Sequence, residues 1–455
     1  MRLFVWRWLA VSSLVLAAFA ARAETRPQYG GTLRIATRDV LTSLDPSQEP
    51  SHLSTQANIM KLVFETMVTV DQRGRAQPGL AVSWKASTDN RECTLRLRSG
   101  IRFHDGIPLT AEIAAASLQT ANPSWHVTAE GDSIVIDLQN SDPDLPTELA
   151  LPRNAIAKRD ANSVPAGTGP FRVADWQARR RLLLTANEDY WGGRPFLDSI
   201  EIEMDESLRD QLLAFESGKA DIIEVAPEQE QRVPFERQAL HSSLPMELLT
   251  IVFTRDAQSP NEKLLRQALA LSIDRTSIGN VLLQGAAQPT GSLLPNWMTG
   301  YAFVFSNQSD LAQARRLRDQ IQSIPSWTLS YDGGDPLLRL IAERISLNAQ
   351  DAGLSVRPTS TINADLQLIR ISLDSTDPWI ALEGLATIAG LPAPAMQNNT
   401  VENLYSAEQS LLATERIIPL FHLPIVYAIS PAVKNSTLQK DGTWNLADVW
   451  LENKP

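Results

Sequence analysis

One stretch constrains this chain more than any other. Gly167-Thr168-Gly169-Pro170-Phe171-Arg172-Val173 is followed about twenty residues on by Asn187-Glu188-Asp189-Tyr190-Trp191-Gly192-Gly193-Arg194-Pro195-Phe196-Leu197-Asp198. Gly167 and Gly169 permit a tight bend and Pro170 fixes its exit. Phe171 to Trp176 then reads as a short strand, with Arg181 to Thr185 as its partner. Asn187 to Arg194 reads as a polar loop pinned by Tyr190 and Trp191. Ile200 to Met204 alternates with period two, as a half-buried strand does. By themselves these residues describe a scaffold hairpin.

The N-terminus sets the compartment. Arg2 and Arg7 precede an apolar run from Leu9 to Ala20, and Ala21-Arg22-Ala23 follows. That is a charged region, a short hydrophobic core and a small-residue cleavage site. The run falls short of the roughly 20 residues a spanning helix needs. Residues 1–23 are therefore expected to be a signal peptide cut before Glu24. No cysteine follows the cut for a lipid anchor, because Cys93 is the single cysteine and lies far downstream. The mature chain is expected to be exported, soluble and periplasmic, with no disulfide.

The remainder exceeds one ordinary core, so two or three domains are expected. Hydrophobic residues make up 43% and charged residues 20%, a normal globular balance. The formal net charge is −11, and the cut would remove three arginines, so nucleic acid is excluded as a partner.

Further along, Tyr29 to Ala36 reads as a glycine turn into a strand, ended by Leu44-Asp45-Pro46. Ser54 to Val68 carries apolar residues at helical spacing. Cys93 to Arg98 alternates as a strand, and Thr110 is a fair N-cap for a helix to about Ala121. Only a dozen residues then separate that helix from a strand at Ile134 to Leu138. Leu208 to Glu216, Leu264 to Arg275 and Leu337 to Asp351 read as helices, and Lys219 to Ile223, Trp327 to Tyr331 and Leu354 to Pro358 as strands. This rhythm implies a partly parallel sheet with helices on its faces.

Catalytic signatures are missing: there is no H-E-x-x-H, G-x-S-x-G or Walker loop. Glu201 and Glu203 share one face of a strand and read as solvated. The five histidines show no metal spacing, and His104 beside Asp105-Gly106 reads as part of a turn. No enzyme, cofactor or metal is expected.

The glycine-rich stretch and its N-x-D-Y-W-G-G-x-P-x-L-D continuation resemble the large solute-binding proteins of peptide- and nickel-type importers, the extracellular solute-binding protein family 5. Gly100-Ile101-Arg102-Phe103-His104-Asp105-Gly106-Ile107-Pro108-Leu109-Thr110-Ala111, Leu265-Arg266-Gln267-Ala268-Leu269 through Ile273-Asp274-Arg275, and Ile418-Pro419-Leu420-Phe421 are similar to further segments of that family. The resemblance implies an α/β, two-lobed periplasmic binding protein fold of type II, with an extra inserted subdomain. By it, residues 24–70, 166–245 and 425–455 form lobe one, 71–165 a trimmed insert, and 246–424 lobe two. It also implies capture of a small solute, an oligopeptide or dipeptide, between lobes of a monomer that docks on ABC permease subunits in the inner membrane. Other readings stay open: a chaperone or sensor module, or a receptor for a sugar or metal complex.

The resemblance further implies site residues. In Leu368 to Trp379, peptide-binding relatives carry a strand running into W-x-x-D-x-x-D/E-P, whose first acidic residue pairs with the peptide ammonium. By that pattern Asp374 is the ammonium partner and Asp377-Pro378 the turn behind it, with Ile371 where an aromatic is usual. The alternative for Asp374 is a strand-end cap. Trp297, Tyr301 and Trp379, read as loop residues of the second lobe, are the aromatic candidates for ligand contact, whereas Trp84, Tyr190 and Trp191 read as scaffold.

Overall fold

The computed structural model describes residues 26–48, 54–71, 74–160, 164–226, 240–302, 304–373, 375–394, 400–439 and 441–452. The signal-peptide reading at 1–23 and Asp374 lie outside the described residues.

Among the described residues one mixed sheet of 11 strands runs through the molecule, ten of them in line and the short Gln288–Pro289 paired beside Ile417–Ile429 off that line. Its centre is a pair of long antiparallel strands, Leu240–Phe253 and Ile417–Ile429. To one side lie Leu366–Ser372, Ser326–Ser330 and Ser355–Thr359. To the other lie Ile222–Val225, Thr32–Ala36, Ser199–Glu203, Arg181–Ala186 and Phe171–Gln177. Each half has a parallel heart. Thr32–Ala36 runs parallel to both Ser199–Glu203 and Ile222–Val225, and Ser326–Ser330 runs parallel to both of its neighbours. Two lobes therefore share a crossing made of two strands.

The crossing is broken at defined places. Pro245 faces Pro424, and the register shifts on both sides of Pro245 and again between Leu249 and Thr250. Proline has no N–H for the ladder, so strand pairing is weakest where the lobes meet. Along Leu240–Phe253 the side chains alternate. Met246 and Leu248 join a core that runs under both halves, while Leu249, Ile251 and Phe253 join the core of the second half. The second core is completed by Pro260–Ser272 and Pro336–Asp351, whose apolar faces carry Leu265, Leu269, Ile341 and Ile345. The helix read from Leu264 to Arg275 is in fact two. The first ends at Ser272, and Asp274 caps a second, Arg275–Val281, by accepting from Ser277 N–H at 3.0 Å.

A separate four-stranded antiparallel sheet, with Ala111–Ala121 across it, forms the inserted unit. Its order is Ala81–Ala86, Glu92–Leu97, Ser133–Asp137, His126–Glu130. Sequence reasoning left His126–Glu130 unassigned. Only Val127 and Ala129 alternate with polar residues there, too short a pattern to stand out, none of the five is fully buried, and the segment pairs as an edge strand through a turn at Gly131, φ +64°.

The glycines of the Gly-Thr-Gly-Pro stretch act differently from expectation. Neither takes a positive φ. They are small because the chain passes against the end of the helix Ser54–Val63. A Cβ on Gly167 would sit 1.9 Å from the Val63 carbonyl oxygen, and one on Gly169 2.7 Å from that of Leu62. Gly167→Ala is expected to cost about 3 kcal/mol, the upper end of overpacking penalties, because the obstruction is backbone. Urea unfolding of the variant against wild type measures this.

Candidate functional site

Among the described residues, the two lobes wall a run of three adjoining cavities. A chamber of about 550 Å³ and one of about 700 Å³ flank a waist of about 60 Å³. The waist shares Ser372 and Ile425 with the smaller chamber. It shares Lys61, Thr376 and Asp441 with the larger.

The 550 Å³ chamber opens where the parallel strands of both halves end. Arg38 and Glu224 come from the first half, Ser330 and Asp335 from the second. Ligands of open α/β sheets bind at such carboxyl ends. Its polar groups form a chain across the lobes. Arg38 donates from Nε to Glu224 Oε2 at 3.1 Å and from Nη1 to Asp335 Oδ2 at 3.4 Å. Arg370 donates from Nη2 to the same Asp335 oxygen at 3.1 Å. Asp335 Oδ1 meanwhile accepts from Leu337 N–H at 2.9 Å, capping Pro336–Asp351. Glu247 lines this chamber from the crossing strand. Burial pushes its carboxyl up, Arg370 and Arg38 oppose the rise, and Glu224 adds to it. The sequence reading missed all five of these charges. Their signal was present: Glu224, Glu247 and Arg370 are the lone Asp, Glu, Lys or Arg of largely apolar strands.

The 700 Å³ chamber explains the diagnostic stretch. Glu65, just past the helix Ser54–Val63, accepts from Thr168 Oγ1 at 2.7 Å, Tyr190 OH at 2.9 Å and Trp191 Nε1 at 2.9 Å. One carboxylate thus ties both halves of the motif together. Burial pushes the Glu65 carboxyl up, and the three donors pull against it. Arg98 lies over the Trp191 ring at 4.7 Å. Tyr190 and Trp191 are scaffold, as read, yet both also form the chamber wall.

Three of the expected contact residues can be placed. Trp297 sits in a four-residue helix, Asn296–Thr299, lines the 700 Å³ chamber and donates Nε1 to Pro245 O at 3.1 Å. Tyr301 instead packs inward. Its hydroxyl donates to buried Glu408, and its ring meets Tyr405 edge-on at 5.8 Å. Glu408 also accepts from Leu293 N–H and, at 3.2 Å, from Leu294 N–H, so Tyr301 and Glu408 anchor the segment that carries Trp297. Trp379 is a helix residue in the first turn of Pro378–Ile388, not a loop residue. It is 4% exposed and belongs to the core, because Asp377 caps that helix through Trp379 N–H at 2.9 Å and turns the ring inward. Asp374 itself is not described, while its neighbours Leu373 and Ser375 line the waist.

His104 is structural, its Nε2 lying 3.1 Å from Gly169 O. Cys93 is buried, which raises its thiol to about 11. Among the described residues no three His, Cys, Asp or Glu side chains gather as a metal site, and no helix is long and apolar enough to cross a membrane.

Two half-sheets, two crossing strands and a cleft walled by both halves define a two-lobed binding protein with an inserted subdomain. The chain belongs to the bacterial extracellular solute-binding proteins, family 5, whose middle region matches residues 75–399. It is 27% identical to the nickel-binding protein NikA of Staphylococcus aureus over 312 residues, 64% of this chain and 63% of that one. It is 26% identical to the probable D,D-dipeptide-binding periplasmic protein DdpA of Escherichia coli over 317 residues, 63% of this chain and 61% of that one. These alignments therefore span about three fifths of each relative's length. In fold it is similar to the oligopeptide-binding protein AppA of Bacillus subtilis, solved with a nonapeptide, at a TM-score of 0.81 and 17% identity, covering 94% of this chain and 100% of that one.

Proposed function

We propose that this protein captures an oligopeptide or dipeptide between its lobes in the periplasm and delivers it to an ABC import permease. The observation that carries this reading is the run of cavities walled by both lobes. Each larger chamber falls in the range of roughly 300–1,000 Å³ common for small-ligand sites. Charged groups in the 550 Å³ chamber and aromatic walls in the 700 Å³ chamber suit a chain with ionic ends and varied side chains. Peptide-named relatives support the same class. In this reading lobe one is 24–70, 166–245 and 425–455, the insert 71–165 and lobe two 246–424; a monomer closes on its solute, and no catalysis is involved. A metal chelate is the second reading, favoured by nickel-named relatives.

Native mass spectrometry of protein purified from the periplasm, with metal analysis alongside, separates the two readings. A bound mass matching a peptide supports the first; stoichiometric nickel supports the second and overturns the first. Edman sequencing of the same preparation is expected to begin at Glu24, and an intact Met1 would contradict export by cleavage. Bound solute is expected to shrink the radius of gyration in small-angle scattering, because it favours the closed form by its differential affinity. At a hundred times Kd it should also add about 2.7 kcal/mol of stability. Unchanged dimensions at saturation would count against closure.

A further inference from the structure

Arg38 bridges the two halves of the molecule. It follows the strand Thr32–Ala36, at the carboxyl end where the 550 Å³ chamber opens. Its Nε donates to Glu224 Oε2 of the same half at 3.1 Å. Its Nη1 reaches across to Asp335 Oδ2 of the second half at 3.4 Å. Asp335 meanwhile caps Pro336–Asp351 with Oδ1. The contact therefore joins two rigid elements, the parallel strands of one half and a long helix of the other.

Neither end depends on the opposite half for its charge balance. Glu224 also accepts from Thr37 Oγ1 at 2.8 Å and from the Arg38 N–H at 3.3 Å. Asp335 Oδ2 also accepts from Arg370 Nη2 at 3.1 Å, within its own half. Glu247, on the crossing strand, acts on both arginines. Parting the halves leaves Arg38 with Glu224 and Arg370 with Asp335, so no charge is stranded. An ion pair whose members had no other partner would lock the halves, because breaking it would leave buried charge uncompensated. A pair whose members each keep a second partner can break and re-form. The Arg38 side chain is also 30% exposed, so water enters as the contact opens and its strength stays modest.

We propose that Arg38 and Asp335 form a reversible ionic latch between the lobes, which favours the closed arrangement whether or not a solute is bound. The latch adds a fixed bias to closure, and the solute's differential affinity acts on top of it. It rests on the two-lobed fold and not on the identity of the solute.

The test measures the open-to-closed ratio of the mature chain after its solute is stripped by unfolding and refolding. Nitroxide labels are placed at Arg209→Cys and Ile362→Cys in a Cys93→Ala background, and pulsed electron paramagnetic resonance reads the distance between them. Both positions are exposed. Arg209 is in the first turn of Leu208–Glu216 in the first half, and Ile362 lines the 550 Å³ chamber in the second. Arg38→Gln and Asp335→Asn are each expected to raise the open-to-closed ratio about threefold, the scale of a partly exposed pair. Asparagine keeps the Oδ1 acceptor that caps the helix. The double variant is expected to match either single one, because both remove the same contact. Wild type should open further in about 1 M sodium chloride, where the screening length falls to about 3 Å, and the variants should respond little. An unchanged ratio in either folded single variant overturns the latch. So does a double variant whose effect is the sum of the two singles, since the residues would then act through separate contacts. If circular dichroism shows that one single variant does not fold, the other still decides, because an unchanged ratio in it alone is sufficient to overturn the latch.

Discussion

Glu262→Gln is expected to lose about 3–5 kcal/mol of unfolding free energy at neutral pH, the scale for stranding one member of a buried ion pair. The stranded member is Arg266, which is fully buried. Its Nη2 donates to Glu262 Oε1 at 2.8 Å and to Arg255 O at 3.0 Å, and its guanidinium lies 4.0 Å from the Phe253 ring centre. Nε finds no acceptor, and Nη1 has only the Glu415 carbonyl at 3.3 Å, so among the described residues Glu262 is the one carboxylate that balances the charge. The pH dependence follows. Burial works to raise the Glu262 carboxyl, but the Gln258 N–H and the guanidiniums of Arg266 and Arg255 win and bring it down to about 2. A carboxyl depressed on folding adds stability above its unfolded value of about 4.3, and that stability disappears as pH falls toward 2. Urea unfolding of wild type should lose this contribution between about pH 4 and 2, and Glu262→Gln should lack that part of the slope. Removing both charges, as Glu262→Gln with Arg266→Met, is expected to recover most of the loss. A single variant as stable as wild type would show that the pair contributes nothing.

Arg266 also shows what in this chain was legible and what was not. The segment Leu265 to Arg275 was recognisable as text, but its arginines read as neutral family marks. In the structure they hold the return strand. Arg266 donates to Glu415 O at 3.3 Å, Gln267 to Glu415 Oε1 at 2.8 Å, and Arg275 to Pro419 O at 2.9 Å. The parallel rhythm of the sheet was visible, because period-two strands and capped helices are local signals. The lobes' crossing was visible as two segments, Ser243 to Phe253 and Leu411 to Val426, but not as a pair. The pairing of Pro245 with Pro424 joins residues far apart in sequence, and no local pattern announces it.

The site divides along the same line. Trp297 was picked out as a loop aromatic of the second lobe, and it does line a chamber, though from a short helix. Trp379 looked equivalent, yet one capping aspartate, Asp377, starts a helix there and sends the ring into the core. Glu65 drew no attention at all, although the motif converges on it. Thr168 and Trp191 meet that carboxylate across more than a hundred positions of sequence, a distance over which spacing says nothing.

If the solute is a peptide, Asp374→Asn is expected to weaken binding by roughly 2–5 kcal/mol, much of it from the stranded partner. An ammonium enclosed between lobes loses its water, and its counter-charge must come from the protein. Asparagine offers a dipole in place of that charge. Asp374 falls between Leu373 and Ser375, which line the waist that Lys61 also faces. Folding should hardly change, since a strand-end cap needs only an acceptor and asparagine keeps one. Calorimetric titration of both proteins with a retained peptide and its N-acetyl form separates the roles. Acetylation should weaken wild type about as much as the substitution does, and should weaken Asp374→Asn little further. If Asp374→Asn binds like wild type while acetylation still weakens it, another group holds the ammonium, and Glu247, the carboxylate on the crossing strand, is the next to replace. If neither change matters, the ammonium stays in water and the enclosed part of the ligand is its carboxylate end.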